Sequence, residues 1–222
     1  MSLCYQENGQ EIAVIGMAGR FPGAKDVNQF WENLKNGIES ITFFSKEELL
    51  SAGVSTDLLD NPNYVTCGGG LLDNKEYFDA AYFGYSPMEA ELMDPQVRIF
   101  HECVWHALEN AGYDPFSYDK LIGLYAGATN NLNWEALSLT SGKASILGGF
   151  ATQLLSDRDH LCTRVSYNLN LKGPAIAIKT ACSTSLAAVH MACQSILNGE
   201  CDMALAGGSA VTRIKKEGYM YQ

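Results

Sequence analysis

The chain has 222 residues, 47% hydrophobic and 18% charged, with a formal net charge of -10. That composition is globular rather than disordered, and the acidic balance disfavours nucleic acid or anionic membrane as a partner. No apolar run approaches the ~18–20 residues that span a bilayer, so a cytoplasmic protein without a membrane partner is expected.

Residues 1–10 read as an N-terminal linker or as cloning-derived residues, and the folded domain is expected over 11–222. Residues 11–18 form a β-branched apolar run and predict a buried strand. A loop punctuated by glycine and proline follows. Asp26 is positioned to cap a helix through Lys35, with Phe30, Trp31 and Leu34 on one side and Gly37 ending it. Residues 45–86 read as an irregular insertion, with Asn61-Pro62-Asn63 and Gly68-Gly69-Gly70 as turn material.

Asp94-Pro95 announces the strongest helix, which runs to Gly112. Val97, Phe100, Val104, Leu108 and Ala111 fall on its apolar face, and Arg98, Glu102 and Glu109 on the other. Strands are predicted over residues 121–126, 175–178 and 203–206, and helices over 159–168 and 183–197. Alternating strands and helices imply a layered α/β fold.

Chemistry concentrates at Cys182. A short strand leads through a small-residue corner, and the cysteine opens the next helix, which reads as mostly buried. Unpaired amide hydrogens and the helix dipole favour a thiolate there. The plain alternative is an inert small core residue. The seven cysteines (4, 67, 103, 162, 182, 193 and 201) include no Cys-x-x-Cys pair, and their odd number predicts reduced thiols.

Other patterns fall away. His101 and His106 resemble a zinc-protease pair, but five residues apart they sit about 140° around a helix from each other. With no third ligand cluster, no metal site is expected. Gly16, Gly19 and Gly23 lack the dinucleotide spacing and precede the helix by too much to cradle a cofactor. No cysteine-protease signature surrounds Cys182.

Several motifs in order carry a family resemblance. Ile12-Ala13-Val14-Ile15-Gly16-Met17-Ala18-Gly19-Arg20-Phe21-Pro22-Gly23, Phe30-Trp31-Glu32-Asn33-Leu34 and Asp94-Pro95-Gln96-Val97-Arg98 come first. Thr163-Arg164-Val165-Ser166-Tyr167-Asn168, Thr180-Ala181-Cys182-Ser183-Thr184-Ser185-Leu186 and Ala204-Leu205-Ala206-Gly207-Gly208 follow. Together they resemble the N-terminal half of a β-ketoacyl synthase, specifically the ketosynthase domain of modular polyketide synthases.

The resemblance implies a thiolase-like α/β fold, the first half of a pseudo-duplicated α-β-α-β-α architecture. It makes Cys182 the thiol that accepts an acyl chain from the phosphopantetheine thioester of an acyl carrier protein. Decarboxylative condensation with a malonyl-type extender then follows. The domain itself is expected to bind no cofactor. Its implied partners are the carrier protein, other domains of the same synthase and a second copy, with residues 175–178 near the two-fold axis.

Two further histidines and a lysine of such synthases come from C-terminal motifs that these 222 residues do not contain. None of His101, His106, His160 or His190 matches those roles, and His190 lies about 12 Å along the helix from Cys182. Two readings therefore stand: the acyl-accepting part of a condensing enzyme, or a truncated non-catalytic dimerisation module. Lys179 departs from the family, which usually has an acidic residue three before its cysteine. Arg213, Lys215 and Lys216 form a basic cluster, either a solvated face or a contact for the carrier's anionic arm.

Overall fold

The structure, a computed structural model, describes residues 9–211 and 216–221. Its first part runs α1 (Val27–Lys35), β1 (Thr42–Phe43), α2 (Lys46–Ser51), α3 (Thr56–Leu59), β2 (Tyr64–Val65), β3 (Cys67–Gly69), α4 (Pro87–Leu92) and α5 (Pro95–Ala111). There follow β4 (Ile122–Ala128), α6 (Leu132–Thr140), α7 (Ala144–Leu147), α8 (Gly149–Ser156), α9 (Leu161–Asn168) and β5 (Ala175–Ala177). The last elements are α10 (Thr184–Leu197), β6 (Met203–Ser209) and β7 (Tyr219–Met220).

The three predicted strands of the second part form one parallel sheet in the order β5-β4-β6. β4 lies in the middle and is buried on both faces, as its near-continuous apolar run requires. Ile122, Leu124 and Ala126 meet Val97, Phe100, Val104, Leu108, Leu161 and Val165 of α5 and α9 in the main core. Tyr125 points the other way, against Ala188 and Ala192 of α10. The result is helix, sheet and helix in three layers. The β4–β6 ladder outruns the prediction, continuing through Gly127↔Gly208 to Ala128↔Ser209.

Helix α5 begins and ends where its sequence signals say. The Asp94 carboxylate accepts the Gln96 amide at 2.8 Å, Pro95 occupies the first turn, and Gly112 stops the helix at φ +79°. Arg98, expected on the polar face, is instead buried. Its guanidinium lies over the Trp134 ring at 5.4 Å and donates to the Glu76 carbonyl at 3.3 Å. Beside it, Gln96 donates to the Thr129 carbonyl and accepts from the amides of Thr129 and Val211. Asn131 donates to Asp94 and to the Val211 carbonyl. Backbone groups leaving β4 and β6 need partners once buried, and these side chains supply them. Burial pushes the Asp94 carboxyl upward, against the hydrogen bonds from Gln96 and Asn131.

Other expectations are corrected. Residues 11–18 form no strand, and Val14 and Met17 are 80% and 60% exposed. An apolar β-branched run becomes a strand only beside another strand, and among the described residues none pairs with it. The segment rests instead on the end of α5, where the Met17 amide donates to Asn110 at 2.9 Å. Helix α1 is capped by Asp26 as expected, yet buries no residue, with Trp31 and Leu34 exposed.

Residues 45–86 are less irregular than their turn content suggests. Capping boxes start both α2 at Ser45 and α4 at Ser86. Phe44, Leu49 and Leu59 make a small separate core. The predicted helix over 159–168 is shorter: Asp157 caps a 3₁₀ turn, Arg158–His160, and α9 begins only at Leu161. Helix α10, expected to be mostly buried, hides only Ala188, Ala192 and Ser195, while Leu186 is 73% exposed. It covers β4 and β6 but carries no further layer among the described residues.

His101 is sealed inside the main core. Nδ1 lies 2.7 Å from the Val97 carbonyl and Nε2 3.2 Å from the Tyr85 hydroxyl, among the rings of Phe78, Phe83 and Tyr85. Burial, aided by the charge of Arg164, lowers its pKa from 6.5 to about 4. The unfolded chain therefore binds the extra proton first on acidification. Stability due to neutral His101 is present above pH 6.5 and is lost as pH falls towards 4. Thermal unfolding of His101→Phe should show a weaker acid dependence across that window, by up to ~3 kcal/mol.

Candidate active site

Cys182 lies on a sharp turn at the C-terminal end of the sheet. β5 stops at Ala177, and the Ile178 amide makes a last ladder bond to the Ala126 carbonyl at 2.8 Å. The chain then reverses through a 3₁₀ turn, Ala181–Ser183, before α10 begins at Thr184. Cys182 thus stands in the turn just ahead of the helix rather than within its first residues. Its thiol is free and the residue is exposed. Ala181 adopts φ +54°, a left-handed conformation that residues with a β-carbon rarely take.

Local hydrogen bonds close the turn. The Ser183 amide and hydroxyl both donate to the Thr180 carbonyl, at 3.2 and 2.8 Å. The Thr184 hydroxyl accepts the Thr180 amide at 3.1 Å and donates to the Ala181 carbonyl at 2.8 Å. No side chain caps α10. The Thr184 amide that opens the helix donates to the Ala181 carbonyl, so backbone as well as hydroxyl ties α10 to the turn.

The turn sits on a floor made of strand ends. A β-carbon at Gly127 would stand 2.1 Å from the Ile178 carbonyl oxygen and 2.6 Å from the Thr184 methyl. Only a residue without a side chain lets β4 end beneath the turn. Deeper in the same layer, the Tyr125 hydroxyl donates to Ser195 at 2.5 Å and ties α10 to the middle strand. Cys162 points into the opposite layer against the carbonyls of Ala126 and Ile176, and burial raises its pKa to about 11.

The structure does not gather the histidines around Cys182. His101 is in the main core, and His190 stands exposed farther along α10. His106 pairs with Glu109 at 3.0 Å and His160 with Asp157 at 3.2 Å. The Glu102 carboxylate, one helical turn before His106, takes Arg20 at 3.0 Å. No group of three or more potential metal ligands occurs among the described residues. Lys179 forms an ion pair with Asp159, whose carboxyl is held below its ordinary value chiefly by that hydrogen bond. The basic residue thus bridges the strand exit to the turn before α9, although pairs this exposed contribute only about 0–1 kcal/mol. Of the basic cluster, Lys216 pairs with Glu48 at 2.7 Å above the Phe44 ring; Arg213 and Lys215 lie outside the described residues, as does Cys4.

Sequence reasoning did not single out Ala181, Thr184 or Gly127. The four-residue spacing of Thr180 and Thr184 across the cysteine, and a glycine ending a buried strand, were the available signals.

A strand, a tight corner bearing an exposed cysteine and a helix, set on a parallel sheet, fit a thiolase-like architecture. The family profile described as "Beta-ketoacyl synthase, N-terminal domain" matches residues 9–221, and the chain belongs to that family. Among curated proteins, one component of the phenolphthiocerol/phthiocerol polyketide synthase of Mycobacterium tuberculosis is 50% identical over 215 residues. That match covers 94% of this chain and 14% of the synthase component. Polyketide synthase PksM of Bacillus subtilis is 40% identical over 91% of the chain and 5% of its own length. Ketosynthase twelve of the bacillaene polyketide synthase of Bacillus amyloliquefaciens superimposes with a TM-score of 0.84 at 38% identity. The overlay covers 95% of this chain and 36% of that one. The chain therefore spans only a small part of the length of the polyketide synthases it resembles.

Gly127→Ala should move the turn without unfolding the sheet. Overpacking of this kind costs about 1–3 kcal/mol. Differential scanning calorimetry should register that loss, and peptide mapping should show slower alkylation of Cys182 than in the unsubstituted chain.

Proposed function

We propose that this chain is the acyl-accepting part of a polyketide-synthase ketosynthase, with Cys182 as the nucleophile. The observation carrying the proposal is the exposed sulfur on a tight turn where β5 gives way to α10. Membership in the β-ketoacyl synthase family supports it. The incoming acyl group arrives as a thioester on the phosphopantetheine arm of an acyl carrier protein.

The Cys182 sulfur attacks the thioester carbonyl carbon and a new carbon–sulfur bond forms. The tetrahedral oxyanion is met by the Cys182 amide in the turn ahead of the helix. Collapse breaks the bond to the arm's sulfur, which leaves as a thiol carrying the proton given up by Cys182. A thioester replaces a thioester, so the carbonyl stays activated for the next step. A malonyl-type extender then loses carbon dioxide, and its carbanion attacks the Cys182-bound carbonyl. That attack returns the sulfur and leaves a β-ketoacyl chain on the carrier arm.

Stabilising the enolate of that second step needs positioned donors. The 222 residues bring no histidine into hydrogen bonding with Cys182, so the polypeptide as it stands supports loading without condensation. The full reaction, the homodimer, the carrier protein and a cytoplasmic location belong to the same proposal. Among the described residues no helix is long and apolar enough to cross a membrane.

Incubation with an acyl-pantetheine thioester should add one acyl group, mapped by peptide mass spectrometry to Cys182 and absent from Cys182→Ala. Label spread evenly over the seven cysteines would remove the reading. With a malonyl thioester added, the 222-residue polypeptide should release no β-ketoacyl product. Its detection by chromatography would overturn the loading-only assignment.

A further inference from the structure

We infer that Thr184 is a positioning residue for Cys182, its hydroxyl holding Ala181 in the left-handed conformation that presents the sulfur. The inference rests on Cys182 being the acyl acceptor. Ala181 carries a β-carbon, so φ +54° is a conformation that its neighbours must enforce. The Thr184 hydroxyl touches both sides of the strained residue. It accepts the Thr180 amide before Ala181, at 3.1 Å, and donates to the carbonyl of Ala181 itself, at 2.8 Å.

These two bonds close a ring in which Cys182 is the middle residue of five. The side chain that makes them is itself fixed. Its methyl packs on the bare α-carbon of Gly127, 2.6 Å from where a β-carbon would stand, which turns the hydroxyl toward the turn. Methyl and hydroxyl therefore have separate duties, one anchoring Thr184 to the end of β4 and the other clamping the turn. Ser183 does not duplicate the second duty, because its hydroxyl reaches only the Thr180 carbonyl.

Three variants of the 222-residue protein separate this role from a general contribution to folding. Thr184→Val keeps the shape and removes the hydroxyl. Thr184→Ser keeps the hydroxyl and removes the methyl. Ala181→Gly removes the need for a clamp, since glycine takes positive φ without a β-carbon clash. Each is scored by its rate of acyl transfer to Cys182, its rate of Cys182 alkylation and its melting temperature. Thr184→Val should slow acyl transfer about tenfold or more, Thr184→Ser by no more than about threefold, and Ala181→Gly added to Thr184→Val should recover most of the loss.

Acyl transfer and alkylation in Thr184→Val as fast as in the unsubstituted protein would overturn the assignment. So would a loss that Ala181→Gly does not repair, or failure of both Thr184→Val proteins to fold, either of which marks a structural residue. If the unsubstituted protein alkylates at Cys182 but takes no acyl group there, the acyl-acceptor reading fails by itself. Alkylation rates across the same variants then decide the clamp.

Discussion

The burial of β4 on both faces is the constraint on which the rest of the structure depends. Its alternating side chains bind two helical layers at once: Ile122, Leu124 and Ala126 to α5 and α9, and Tyr125 to α10. A strand so enclosed cannot shift without breaking both cores, because a one-residue slip would exchange its two faces. Its C-terminal end is therefore a fixed platform. Gly127, at that end, receives the Ile178 carbonyl and the Thr184 methyl, and so sets the height of the turn that carries Cys182.

The polar residues around the opening of α5 work on the same platform from the other side. Gln96 and Asn131 bind the backbone leaving β4 and β6 at Thr129 and Val211, and the Asp94 carboxylate accepts from both side chains. Each such side chain is buried, and each serves more than one partner. Their hydrogen bonds fix the exits of two neighbouring strands where the ladder can no longer do so. The C-terminal edge of the sheet is thus held by polar contacts and the interior by apolar ones.

Elements with a local cause were legible in the amino-acid sequence. The caps at Asp26 and Asp94, the stop at Gly112, the apolar face of α5 and the three central strands each follow from residues within a few positions. The cysteine at a strand-to-helix junction was also visible, and the motifs around it led to the right family. Burial that depends on distant neighbours was not visible. The stretch at Val14 and Met17 has strand composition but no adjacent strand, and α10 is apolar all round yet covered on one side. Arg98 looked like a solvated charge until Trp134, from an element that periodicity did not predict, closed over it. Near the cysteine, the left-handed Ala181 and the hydroxyl that spans it depend on backbone angles, which residue types alone do not disclose.

The pairing of β2 with β7 bears on how the polypeptide assembles. Tyr64 faces Met220 and Val65 faces Tyr219, and the Tyr221 amide reaches the Asn63 carbonyl at 2.8 Å. The small module around Phe44, Leu49 and Leu59 thus borrows its closing strand from more than a hundred residues downstream. During synthesis it must wait, with that edge open, while α5, the parallel sheet and α10 are made and packed. Contacts of such long sequence separation form slowly, because much chain entropy is lost before they return any stability. Ribosomal order therefore makes the sheet and its helical layers the early structure and this peripheral module the late one.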